Sequence, residues 1–118
     1  MDNRTFEKAR EEFNRECERI LGLKGTDYTI GHQEENKFYN FDKAADFLGL
    51  DSLTVATVYW LKHVFAICKY VQDRKEGSEP IEGRFADCRN YVDIMYGIAM
   101  RDKNDSSNDG DSGKGMEG

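Results

Sequence analysis

Ile81, Phe85, Cys88, Val92, Met95 and Ala99 recur at alternating spacings of four and three. Such a run places apolar side chains on one stripe of an α-helix and on no regular face of a strand. Tyr91, Ile94 and Ile98 widen the stripe. The run begins just after Ser78-Glu79-Pro80, where the only proline of the chain stands at the position helices tolerate best. Immediately upstream, Leu53–Val71 is apolar nearly all round, as a helix packed by neighbours on several sides should be. Asp51 or Ser52 is placed to cap that helix, which is expected to run to about Lys75 and to end at Gly77. So short a connection predicts that the two rods lie side by side as an antiparallel hairpin.

Two smaller elements complete the expected fold. Phe6, Ala9, Phe13, Cys17 and Ile20 form one stripe on a helix over residues 5–21, with Asn3 or Thr5 as its cap and Gly22 and Gly25 at its end. Asn40 reads as the cap of a short helix from Phe41 to Leu48, closed by Gly49. The predicted class is an all-α, small antiparallel helical bundle formed by residues 1–101. The remainder, 102–118, is too rich in Asp, Ser and Gly to offset its ordering entropy and reads as a disordered tail. Residues 22–40 show neither period, and a connection of that length with three aromatics, Tyr28, Phe38 and Tyr39, points to function or to packing against the bundle.

Composition narrows the function classes. The net charge is −6, with five acidic and three basic residues from Arg101 onward, so the basic excess that a duplex-binding surface uses to neutralise phosphates is missing. No duplex nucleic-acid partner is expected. The three cysteines, Cys17, Cys68 and Cys88, form no C-x-x-C and suit a reducing, cytoplasmic setting. The start, MDNRTFEKAREE, has no signal-peptide pattern, and Lys62, His63 and Lys69 interrupt the most apolar run, so no membrane partner is expected. Glycine-rich phosphate loops and nucleophile elbows are absent, which leans against an enzyme.

The polar residues inside the apolar helices are the candidates for chemistry. Charges in such positions need partners. Lys62 and His63 lie midway along the first long rod, and Arg84, Asp87, Asn90 and Tyr91 on the second. Asp87 shares one side with Asn90 and Tyr91, three and four residues on. Lys62 or His63 is therefore expected to meet Asp87 across the hairpin, the alternative being that Lys62 and Lys69 reach solvent and Asp87 pairs with Arg84 or Arg89. With Tyr28, His32, Asn36 and Phe38 from the 22–40 segment, these residues could line a pocket for a base and its phosphate. Lys62, His63 and Arg84 would meet phosphate, and Asp87 and Asn90 would orient them. No cofactor is required, although Glu79 and Glu82 form an E-x-x-E that Mg²⁺ would use if other acids converged on it. Gly83 and Gly97, inside the last helix, suggest the close approach of another backbone or, for Gly83, of a ligand. The breadth of apolar surface around Val55, Tyr59, Trp60 and Phe65 predicts a homo-oligomer.

The set D-Y at 27–28, N-K-F-Y-N-F at 36–41, A-x-x-L-G at 45–49, L-K-H at 61–63 and E-P-I-E-G-R-x-x-D-x-x-N-Y at 79–91 resembles small uncharacterised phage and prophage proteins of the nucleotide-modification-associated type. The resemblance covers roughly residues 20–100. It implies a phage-encoded helical protein acting near nucleotide metabolism in an infected bacterium, or withholding a nucleotide signal from host defence. The all-α nucleotide pyrophosphatases, whose pattern is E-x-x-E followed by E-x-x-D, are a weaker parallel. Here the later acidic pair at that spacing is Asp102 and Asp105, at the tail boundary, so Mg²⁺-dependent hydrolysis through Glu79, Glu82 and Asp87 stands as the alternative.

Overall fold

The computed structural model describes the backbone of residues 1–28 and 38–113, and the side chains of residues 1–22 and 38–106. Four helices make up the described residues: α1 (Asn3–Tyr28), α2 (Tyr39–Leu48), α3 (Ser52–Asp73) and α4 (Ile81–Gly113). The all-α architecture is as the apolar periods predict. Helix α4 is the hub, with α3 on one side and α1 on another, while α2 packs on α3. None of these helices is long and apolar enough to cross a membrane.

The helix ends follow local chemistry, sometimes at other residues than expected. Asp51 caps α3, its carboxylate accepting the Thr54 N–H at 2.8 Å or less, namely 2.7 Å. Gly49 closes α2 in the left-handed region at φ 72°, its N–H donating to the Ala45 carbonyl. At the start of α1 the capping carboxylate is Asp2, which accepts the Thr5 N–H at 2.8 Å, rather than Asn3 or Thr5. Asn40 lies inside α2 and is not its cap, because the helix already begins at Tyr39. Helix α3 ends before Gly77, through Arg74 at φ 58°, a left-handed residue whose N–H returns to the Tyr70 carbonyl. Gly22 and Gly25 do not stop α1, which continues to Tyr28; a glycine costs a helix interior only about 1 kcal/mol relative to alanine and needs a competing cap to end it. The segment without regular period is thereby shorter than residues 22–40. Helix α4 likewise runs past Arg101, to Gly113.

Helix α4 packs inward through the Tyr91, Ile94 and Ile98 edge of its apolar stripe rather than through the stripe's centre. Phe85 and Val92 are 44% and 46% exposed, whereas Ala86, Asp87, Asn90, Tyr91 and Ile98 are buried. The polar members of the inward face are matched by groups on neighbouring helices, which removes the penalty for burying them. Asn90 donates its side-chain N–H to the Cys17 carbonyl of α1 at 2.8 Å. Arg89, above Phe13 at 5.4 Å, also bonds Asn14, so α1 is tied to α4 chiefly by polar side chains. The apolar centre comprises Phe41, Ala45, Val55, Ala56, Tyr91 and Ile98.

A second polar node joins three helices at the far end. Arg101 donates to both oxygens of Asp42, at 3.0 and 3.1 Å, and Ser52 donates its hydroxyl to the same carboxylate. The Asp42 carboxylate holds the Arg101 guanidinium above its ordinary pKa. Beside it, Phe38 lies under Arg101 with 5.5 Å between guanidinium carbon and ring centroid. The same ring fills the space over Gly97, where a Cβ would come within 2.8 Å of its Cζ. The close approach at Gly97 is thus made by the Phe38 side chain and not by the backbone that the sequence suggests. Among the described residues, a Cβ at Gly83 would meet nothing within 4 Å.

Candidate functional site

Antiparallel packing of α3 on α4 brings residues together in steps of one turn. Tyr59 meets Tyr91, with ring centroids 6.0 Å apart, and four residues on His63 meets Asp87 four residues back. His63 Nδ1 stands 3.7 Å from Asp87 Oδ2, and both side chains are buried. The expectation that Lys62 or His63 confronts Asp87 resolves to His63. Lys62, the next residue, is rotated about 100° around the helix and is exposed. The His63 ring lies on that of Tyr91, 5.4 Å between centroids and 21° from parallel.

Helix α2 closes the third side. Its first turn delivers Phe41, whose ring contacts Tyr59 at 5.7 Å and Tyr91 edge-on at 6.2 Å. These three aromatics, with Asn40, Lys62 and His63, line a recess of about 460 Å³, and Glu79 reaches its edge from the α3–α4 connection. That volume lies within the range of small-molecule sites. The recess offers the ring of Tyr59, 45% exposed beside the buried rings of Phe41 and Tyr91, with an ammonium from Lys62, an amide from Asn40 and a carboxylate from Glu79. Behind it, His63 and Asp87 form a buried titratable pair that fixes the floor.

The other anticipated site residues divide into three groups. Arg84 stands just beyond Glu79, with Nη1 3.1 Å from Glu79 Oε2, in a contact close enough for an ion pair and not aligned as a hydrogen bond. Asn90 and Phe38 are not in the recess: Asn90 is turned to α1, and Phe38 is held between Gly97 and Arg101. The side chain of Tyr28, and all of His32 and Asn36, lie outside the described residues. Among the described residues no group of three His, Cys, Asp or Glu side chains could hold a metal ion. The acids invoked for Mg²⁺ are dispersed, with Glu79 against Arg84, Asp87 against His63, and Glu82 exposed.

In the sequence Tyr59 reads as part of the apolar bulk, and Asn40 and Phe41 read as part of a helix start. A signal for Tyr59 was present: it precedes His63 by four residues and so shares its face. Neither a family model, nor a curated protein, nor a solved structure matches this chain.

Proposed function

We propose that the protein binds a phosphorylated, nucleotide-like small molecule in the recess between α2, α3 and α4. The carrying observation is the cluster of Phe41, Tyr59 and Tyr91 with Lys62 and Asn40 at its rim. A base stacked on an aromatic ring gains about 1–3 kcal/mol and every base has a π-face to offer. Lys62 supplies a charge-assisted contact to phosphate, and Asn40 and Glu79 supply polar partners for a base edge or a sugar. His63 and Asp87 act from below, keeping Tyr91 and its neighbours in place. Binding accounts for this arrangement without a bond being broken, and the dispersal of Glu79, Glu82 and Asp87 gives the Mg²⁺-dependent hydrolase less support.

The setting that accompanies this reading is the cytoplasm of a phage-infected bacterium, where such a protein would serve nucleotide modification or withhold a nucleotide signal. Three free cysteines suit a reducing compartment. Calorimetric titration with a panel of nucleosides and nucleotides tests the binding. At least one nucleotide should bind more tightly than about 1 mM, roughly −4 kcal/mol, and Tyr59→Ala should weaken it about tenfold. A panel in which nothing binds that tightly removes the reading.

A second copy of the chain is proposed as the cover for the outer face of α3. Val58, Leu61, Phe65 and Cys68 follow one another at spacings of three, four and three, the seam of a two-stranded coiled coil. Val58 is 57% and Phe65 64% exposed, on the side of α3 away from α4. The recess lies off this seam, so association and ligand binding are compatible.

A further inference from the structure

The α3–α4 connection carries a second depression, of about 260 Å³, that shares Glu79 with the recess described above. It is lined by Lys69, Lys75 and Arg84, with Tyr70, Ser78 and Glu76. Lys69 follows Lys62 by seven residues, so the two ammonium groups form one row along α3, about 10 Å apart by helical rise. Across both depressions the cations are Lys62, Lys69, Lys75 and Arg84, against the acids Glu76 and Glu79. This is a local cationic excess on a chain whose net charge is −6. One of the two acids is already engaged by the protein, since Glu76 Oε1 accepts the Ile81 N–H at 2.9 Å and so caps α4. The other, Glu79, is half exposed while its partner Arg84 is mostly buried, so the acid is the member of the pair with open solvent beside it.

We infer that the ligand is a nucleoside polyphosphate, with its base against the exposed ring of Tyr59 and its phosphate chain laid along Lys62 toward Lys69, Lys75 and Arg84. This rests on the nucleotide reading above and specifies it. A monophosphate held by the aromatic recess ends near Lys62 and leaves the second depression unused. A triphosphate is long enough to pass Glu79 and reach it. On binding, the terminal phosphate takes the place of the Glu79 carboxylate beside Arg84, and Glu79 swings into solvent. Arg84 offers its planar fork of donors to phosphate oxygens as it would to a carboxylate.

The test compares a nucleoside triphosphate with its monophosphate by calorimetry, on the full chain and on the doubly substituted Lys69→Ala/Lys75→Ala. Both lysines are exposed, so the variant keeps its fold. The triphosphate should bind the unmodified protein at least about tenfold more tightly than the monophosphate, each charge-assisted contact contributing on that order. The double substitution, which leaves Arg84 in place, should cut that difference severalfold and leave monophosphate binding unchanged. Glu79→Gln, which removes the competitor for Arg84, should tighten triphosphate binding severalfold. Equal affinity for the two nucleotides, or a double variant that weakens both alike, overturns the polyphosphate inference while leaving the aromatic recess as a nucleotide site. If neither nucleotide binds, both proposals fall.

Discussion

His63 and Asp87 occupy the middle of the hairpin, 3.7 Å apart and buried, with Tyr91 stacked on the imidazole. Their neighbours in sequence have different environments because helical rotation separates them: Lys62 turns outward, and Asn90, three residues from Asp87, turns to α1. Single residues at helix ends are as consequential. The Thr54 N–H holds the Asp51 carboxyl below its ordinary pKa, so its charged form is favoured in the folded chain. A depressed folded pKa contributes stability that is fully present above the unfolded value and is lost as pH falls through the folded one. Asp51→Ala should therefore lower the melting temperature at neutral pH, and the difference from the unmodified protein should narrow as the pH drops below the ordinary carboxylate range. Melting curves across that range check this, and a difference that stays constant in acid would contradict it. Burial similarly pushes the Cys17 thiol up, whereas Cys68 is exposed. A thiol reagent should accordingly modify Cys17 only on unfolding, and Cys68 at once in the dissociated Phe65→Lys variant.

At the scale of elements, α4 shows why a pattern can identify a helix and misplace the centre of its buried face. The stripe from Ile81 to Ala99 is legible because its spacing is strict, but burial is decided by what each side chain meets. Asp87 and Asn90 enter the interior since His63 and the Cys17 carbonyl await them, and those partners are distant in sequence. Phe85 and Val92 are left outside. The same limit governs the site: Lys62, His63, Asp87 and Tyr91 were readable as polar or aromatic intrusions in apolar helices, while Asn40 and Phe41 enter the recess only through the docking of α2. That docking is sensitive to Gly97, the position over which the Phe38 ring lies. Gly97→Ala should destabilise the fold by about 1–3 kcal/mol through overpacking, despite the better helix propensity of alanine. Adding Phe38→Ala should recover part of that loss. Urea denaturation of the two single variants and the pair measures the coupling, and strictly additive effects would show that the contact is not the cause.

The described residues form an extended body, with a radius of gyration of 17.6 Å, where a compact chain of this length would have about 13–14 Å. Residues 1–12 of α1 are exposed throughout, and the outer faces of α3 and α4 carry Val58, Phe65, Val92 and Tyr96. Association of two copies along Val58, Leu61, Phe65 and Cys68 would cover one of these faces. Sedimentation at micromolar concentration should then show a dimer or higher species that Phe65→Lys dissociates, and a clean monomer would remove the second copy. The ligand site is a separate matter, because it is built within one chain by α2, α3 and α4. Its most direct test is a nitrogen–proton correlation spectrum recorded during titration with a nucleoside triphosphate. Saturable shifts should concentrate at Phe41, Tyr59, Lys62, His63 and Tyr91 and spare residues 5–12 of α1. Shifts that are absent, or that gather on α1 and the outer face of α3 instead, would contradict the account.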